Sequence, residues 1–448
     1  MSRIHIIGAG LAGCEAALAA ARLGVDVLLT EMKPQKYSPA HKSRGFAELV
    51  CSNSLRSDSV TNAVGLLKEE MRRLGSGIMA AADSHRVPAG SALAVDREAF
   101  SDDVTRRVRS NPRITIECAE AVSIPEGEIT VVATGPLTSD ALAAEIYGRL
   151  GISSLKFFDA AAPIVDGSTI DYNKAFFASR YGKGDADYLN CPMNKEEYDA
   201  FYRELVGARL AELHGFDAEA QKDPTVFEGC MPVEVMAKRG YDTLRFGPLK
   251  PVGLSDPSRP GEEFYAVVQL RKENEAGTMF NIVGFQTHLA FPEQRRVFGM
   301  IPGLEHAEFL RYGVMHRNTY IESPGLLGPD YAMLSRPDVY FAGQITGVEG
   351  YVESAASGLA AGIFAARRAL GLERILFPEE TMIGAMAAYV SRGGCGQFVP
   401  MNANFGIIPP LPARVKGGKT AKYAAYADRA LTAVDALAER LFGEGGAL

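Results

Sequence analysis

The chain has 448 residues, 47% hydrophobic and 23% charged, which suits a folded protein of two or three domains and excludes disorder, collagen and coiled coil as its main organisation. Lys and Arg number 47 against 54 Asp and Glu, a formal charge of −7, so a uniformly basic nucleic-acid binder is excluded while a local basic face is not. Tryptophan is absent, and stacking on any base falls to Tyr, Phe or Arg.

The N-terminus reads as a complete βαβ unit. Ile4 to Ile7 form a buried strand, Gly8-Ala9-Gly10-Leu11-Ala12-Gly13 spells G-x-G-x-x-G, and an Ala-rich helix stops at Gly24. Val25 to Leu29 form a second strand with Glu31 at its end. The glycines permit a tight turn, close approach of a pyrophosphate and close helix–strand packing. The helix N-terminus faces the phosphates, and Glu31 accepts ribose hydroxyls. The hexapeptide alone is unspecific; the whole unit points to a dinucleotide. Leu11 to Cys14 also resembles a lipoprotein cleavage site, but only Arg3 supplies a positive charge before it, and the βαβ unit continues past it.

Residues 33–62 form a long polar loop carrying Lys33, Lys36, His41, Lys42, Arg44 and Arg56. Residues 63–85 look helical, and Asp96 is a candidate N-cap for a helix to Val108. Ile114 to Cys118 is β-rich. Glu128 to Thr134 is a strand ending at Gly135, and Asp338 to Ala342 repeats the pattern, ending at Gly343-Gln344 before a small-residue helix from Gly350 to Gly362. Three strand-to-glycine turns suit a long cofactor lying across one sheet.

Between about 165 and 315 the pattern changes to an aromatic-rich helix (Lys195 to Leu213), a Pro/Gly-rich loop (Phe246 to Gly261) and β-rich runs (Phe264 to Leu270). This reads as an insertion that splits the first domain. The expected division is 1–165, 166–317 and 318–448, with a helix from Thr420 to Leu441 closing the chain. No second G-x-G-x-x-G follows a convincing strand, so a nicotinamide cofactor must use a less stereotyped site. No apolar run is long enough to span a bilayer.

The six cysteines contain no C-x-x-C, which disfavours a zinc ribbon or a redox pair, leaves no metal site in view, and suits a reducing cytoplasm. Cys51 lies among Ser and Asn, with Lys42, Arg44 and Arg56 near in sequence, and nearby cations lower a thiol pKa. Cys230 lies in Glu-Gly-Cys-Met-Pro, where Gly229 and Pro232 suggest an exposed turn. Cys14, Cys118, Cys191 and Cys395 look structural, the last two in loops.

The N-terminal unit with Glu31, Leu49-Val-Cys51-Ser-Asn-Ser-Leu-Arg56, Phe227-Glu-Gly-Cys230-Met-Pro-Val-Glu234 and Ala342-Gly343-Gln344 through Gly350-Tyr351 together resemble the folate- and FAD-dependent tRNA uracil-5 methyltransferases, the TrmFO family, essentially end to end. The resemblance implies an α/β fold: a Rossmann-like, glutathione-reductase-like FAD-binding domain interrupted by a smaller α/β insertion. It implies a reaction too. The methylene carbon of 5,10-methylenetetrahydrofolate passes to the T-loop uridine of tRNA, with electrons from NADH or NADPH by way of FAD. Gly8 to Gly13, Glu31, Thr134, Gly135, Gly343 and Gln344 would then hold FAD. Cys230 would be the nucleophile at uracil C6, Cys51 a second thiol, and Tyr351 a group stacking on the flavin or substrate ring. Thiolate addition at C6 turns C5 into an enolate-like nucleophile, which is why a cysteine suits this chemistry. Loss of the C5 proton needs a base, for which Glu228, Glu349 and Glu353 are candidates by position.

Four basic clusters are candidates for RNA phosphates: 33–56; Lys238, Arg239, Arg245 and Lys250; Arg271 and Lys272; and Arg414 to Lys422. The rivals are a wobble-uridine modifier like MnmG, an S-adenosylmethionine methyltransferase, and a noncatalytic FAD-containing tRNA-binding protein. The first is disfavoured by the short stretch after Gly343, the second by the segments ending at Gly135 and Gly343.

Overall fold

Aliphatic runs at Ile4, Ile6 and Ile7, at Val27 and Leu29, and at Val131 and Val132 are buried, as strands covered on both faces require. They build a six-stranded sheet in the order Ala332–Met333, Arg336–Phe341, Thr130–Val132, Arg3–Ile7, Asp26–Glu31, Ile114–Cys118. Neighbours run parallel, with Ile6 opposite both Leu29 and Val131, except for the short outer pair at 332–341. The computed structural model describes residues 3–151, 155–160, 162–182, 185–211, 231–274, 276–313, 315–393, 398 and 400–442, with backbone alone at 155–160 and 315–318.

The helix after the first strand is Leu11–Arg22, and Gly24 follows it at φ +86°. The stretch read as one helix over 63–85 is two, Ala63–Arg73 and Gly77–Ser84, broken at Gly75. The Arg22 guanidinium donates to the Leu74 and Gly75 carbonyls at that break, satisfying acceptors that a helix end leaves open. Asp96 caps Arg97–Arg109 by accepting from the Glu98 and Ala99 amides. The closing helix spans Gly418–Phe442.

A second six-stranded sheet runs Phe176–Ala178, Tyr188–Met193, Ala266–Lys272, Met279–Ile282, Ile164–Asp166, Phe309–Arg311, all antiparallel. The helix Lys195–Gly207, which stops short of the expected Leu213, packs Tyr198, Phe201 and Leu205 on it. Leu210 instead bridges to Leu289. Cys191, expected in a loop, is inside Tyr188–Met193 and fully buried, and burial pushes its thiol far above the usual range. The way into and out of this sheet is a two-stranded antiparallel ribbon, Leu155–Ala160 against Met315–Tyr320.

The position of everything else is set by one helix pair. Tyr351–Ala369 lies on Leu11–Arg22 with Gly358 and Gly362 against Ala12 and Ala16. A Cβ on Gly358 would stand 2.2 Å from the Ala12 carbonyl oxygen, and one on Gly362 would stand 2.6 Å from the Ala16 Cα. Backbone rather than flexible side chain blocks the space, so the contact cannot yield locally. Gly358→Val is expected to cost roughly 1–3 kcal/mol or more through overpacking, read as a lowered melting temperature together with lost flavin. Unchanged melting would show that the two helices can separate freely.

Candidate dinucleotide and thiol site

Among the other described helices, those starting at Asp140, Val233, Thr243 and Phe291 lack a side-chain cap, and five are capped by the side chains of Asn62, Ser76, Asp96, Asn194 and Thr381. The two helices of the central pair are not: each starts after a glycine, Gly10 or Gly350, that offers no side-chain cap. Both start at the carboxyl ends of sheet strands, where open α/β sheets bind ligands. Their first amides are therefore donors in want of an anion.

The cleft at the first of them is lined by Gly8, Gly10, Glu31, Thr134 and Thr138, among others. Glu31 is buried, and its carboxylate accepts from the Ala9 amide at 2.7 Å and the Lys33 amide at 3.0 Å. Two amide donors thus hold the carboxylate at the cleft wall while lone pairs remain for ribose hydroxyls. The glycines divide by task. A Cβ on Gly13 would stand 1.8 Å from the Gly8 carbonyl oxygen, so Gly13 serves the fold; a Cβ on Gly10 would meet nothing within 4 Å, so Gly10 faces open space. This cradle fits a dinucleotide pyrophosphate. Across the sheet, Gly343 donates to Ser357 Oγ at 2.8 Å, and Gln344 Nε2 donates to Glu349 at 2.7 Å. Cys14 is buried, its thiol pushed far up by burial and its Sγ donating to the Ala9 carbonyl.

At the second helix start, the Tyr351 phenol oxygen accepts from the Cys51 amide at 2.6 Å. Burial, reinforced by the field of Cys51, pushes this phenol well above its usual range, so it is a neutral hydroxyl at neutral pH. The cysteine loop is fastened on its other side from the second sheet. Arg271 donates to Asn53 Oδ1 at 3.0 Å and Ser52 Oγ at 2.7 Å, while Asn53 Nδ2 donates to the Val95 and Lys272 carbonyls. Arg97 donates to the Leu49 carbonyl at 2.6 Å and pairs with Glu273 at 2.7 Å. Arg311 lies close enough that Tyr351, Cys51 and Glu48 all oppose the downward push that burial and then Arg97 exert on its guanidinium.

Cys230, Glu228 and Gly229 lie outside the described residues, as does Cys395. Met231 is buried, and the helix Val233–Lys238 that begins two residues later is held by Glu234 on Thr287 Oγ1 and the His288 amide, both at 2.8 Å. Of the other expected bases, Glu353 is committed to Arg56 and to the Ala403 amide.

Two of the basic clusters are partly used up within the protein. Arg271 is buried in the loop anchor just described, so it cannot meet a phosphate. In the 33–56 loop, Lys33 is buried against the Gly45 carbonyl, Lys36 pairs with Glu120 and Arg56 with Glu353. Lys42 and Arg44, near Cys51 in sequence, are exposed, and Arg311, from the far end of the insertion, interacts electrostatically with Cys51. Arg97 and Arg311 were invisible to sequence reasoning. Arg271 had a signal, since it continues the apolar run Ala266 to Leu270 into a buried strand position.

Such a sheet, two uncapped glycine-led helices and a carboxylate at the second strand define a dinucleotide-binding α/β protein with a thiol-bearing loop at its cofactor edge. The family profile described as Glucose inhibited division protein A (GIDA) matches residues 3–373. The solved structure of Aquifex aeolicus GidA superposes with a TM-score of 0.70 at 19% identity, covering 98% of this chain and 73% of that one. A protein of Acetivibrio thermocellus named methylenetetrahydrofolate–tRNA-(uracil-5-)-methyltransferase TrmFO is 60% identical over 94% of this chain and 95% of its own. Its namesake in Desulforudis audaxviator is 57% identical over 99% of both chains. The chain belongs to the TrmFO family.

Gly10→Val is expected to leave the melting temperature of the flavin-free protein unchanged while flavin content falls at least about tenfold; equal flavin content would show that the cradle is not where the pyrophosphate lies. Tyr351→Phe removes the acceptor of the Cys51 amide, and a reacting group misplaced by about 1 Å loses on the order of a hundredfold in rate. Turnover at saturating substrates is expected to fall by about that factor with flavin retained, and wild-type turnover would relieve the phenol of this task.

Proposed function

We infer that this chain methylates C5 of the T-loop uridine of tRNA, taking carbon from 5,10-methylenetetrahydrofolate and electrons from NADH or NADPH by way of FAD. The observation that carries the reading is identity of 60% and 57%, over 94% and 99% of the chain, to proteins named for that reaction. Coverage is nearly complete on both sides of each match, 95% and 99% of the relatives' own lengths. The reading places the protein in the cytoplasm with its RNA; no described helix is long and apolar enough to cross a membrane.

Bound FAD supplies the two electrons that bring a methylene carbon to a methyl group. The chain supplies the rest. Gly8 to Gly13 and Glu31 hold the nucleotide end, Thr134 and Gly135 border it, and Gly343 and Gln344 lie across the sheet from it. The Cys230 thiolate adds to uracil C6, and the electron pair displaced onto C5 attacks the methylene carbon. A base then takes the C5 proton as the bond from the methylene carbon to its carrier nitrogen breaks, leaving an exocyclic methylene at C5; two electrons and a proton, delivered as hydride, turn it into the methyl group as the C6–S bond breaks to restore the ring and the thiolate. Cys51, in the field of Arg311 and fixed through its amide by Tyr351, is the second thiol of the site. We take the ribbon of 155–160 and 315–320 as the boundary between the FAD domain and the insertion.

The test is mass spectrometry of an unmodified tRNA transcript incubated with protein, methylenetetrahydrofolate and NAD(P)H, against a mixture lacking only the folate. One folate-dependent methyl group on the T-loop uridine is expected. No methyl group, or one that requires S-adenosylmethionine instead, would overturn the reading.

A further inference from the structure

From Thr381 to Ala427 the chain contains no Asp or Glu, although the whole carries −7. Within that stretch Arg414, Lys416, Lys419 and Lys422 are all exposed, and none pairs with a carboxylate among the described residues. They line an open groove together with Tyr423 and Tyr426. The groove opens at the start of Gly418–Phe442, a 25-residue helix whose positive dipole end adds to the cationic side chains.

The aromatic wall is built, not incidental. Phe405 stacks on Tyr423 at 4.3 Å between centroids and on Tyr426 at 5.7 Å. Lys419 and Lys422 lie over the Tyr423 and Tyr426 rings at 5.5 and 5.8 Å, which holds their ammonium groups at the groove. Arg429 is spent on the Pro409 and Pro410 carbonyls and shapes the floor instead.

The groove is also tied to the thiol site. Met401 bonds to Gly347 and Glu349 through its backbone, Asn402 Nδ2 donates to the Glu349 carbonyl, and the Ala403 amide donates to Glu353. Two residues on, Phe405 enters the aromatic wall, so at most about 7 Å of backbone separates the two contacts.

We propose that the groove of Arg414, Lys416, Lys419 and Lys422 holds the sugar-phosphate backbone of the tRNA substrate next to the arm whose uridine enters the thiol site. The proposal rests on the function inferred above. Exposed, unpaired cations with no acid among them match a polyanion, and phosphate contacts orient an RNA without reading its bases.

The test uses the flavin-loaded full chain and an unmodified tRNA transcript, with affinity measured by fluorescence anisotropy over a series of salt concentrations. The variant R414Q/K416Q/K419Q/K422Q is expected to bind at least about tenfold more weakly, with the slope of log K against log salt flattened by roughly 0.7–0.9 per phosphate contact removed. Its KM for tRNA rises, while its flavin content matches the wild type. As a check independent of the variant's folding, Lys416, Lys419 and Lys422 of the wild type are expected to be protected by tRNA from acetylation, read by peptide mass spectrometry. Wild-type affinity and slope in the variant, or equal acetylation with and without tRNA, would overturn the groove while folate-dependent methylation by the wild type left the function standing. A wild type that neither binds nor methylates tRNA would overturn both.

Discussion

The contact of Leu11–Arg22 with Tyr351–Ala369 is the constraint on which the rest depends. Ala12 and Ala16 on one side and Gly358 and Gly362 on the other let two helices from opposite ends of the chain meet at backbone distance. Because each helix starts after an uncapped glycine, the contact gathers two sets of unsatisfied amides at one edge of one sheet. A large inserted sheet can lie between those two helices in sequence because the ribbon of 155–160 and 315–320 returns the chain near where it left.

The insertion is not a passive passenger on this frame. Arg271 reaches from its sheet to Asn53 and Ser52, and Arg311 brings a positive charge to the region of Cys51 and Tyr351. The cysteine loop is thus held by the first-domain helix start through Tyr351 and by the insertion through Arg271. A buried, fully bonded arginine is costly to leave unpaired, so this attachment fixes loop geometry more than it adds net stability. Cations therefore divide into two populations. Lys33, Arg56 and Arg271 are bonded within the protein, and those at 414–422 remain free to meet a polyanion from outside.

Sequence periodicity and glycine spacing made the first domain legible: the βαβ unit, the Asp96 cap and the late small-residue helix all follow from local rules. The roles of the small residues in that helix were not legible, because Gly358 matters only through Ala12, far away in sequence. The same limit applied to charge. Lys42 and Arg44 were the obvious neighbours of Cys51 along the chain, yet the structure brings Arg97, Arg271 and Arg311 instead. Cys191, expected in a loop, was misjudged. In space it occupies a strand, with Pro192 opposite Val267. Single-sequence patterns report which residues share a face; they do not report which faces meet.

The central claim is that a cysteine of this chain bonds to C6 of the target uracil. It is tested most directly by incubating the protein, folate and NAD(P)H with tRNA carrying 5-fluorouridine in the T-loop. Fluorine at C5 cannot leave as the proton does, so the C6–S bond persists. The account predicts a stable protein–RNA adduct that peptide mass spectrometry maps to Cys230 and that Cys230→Ala abolishes. No adduct, or one mapped to a cysteine other than Cys230, would contradict it.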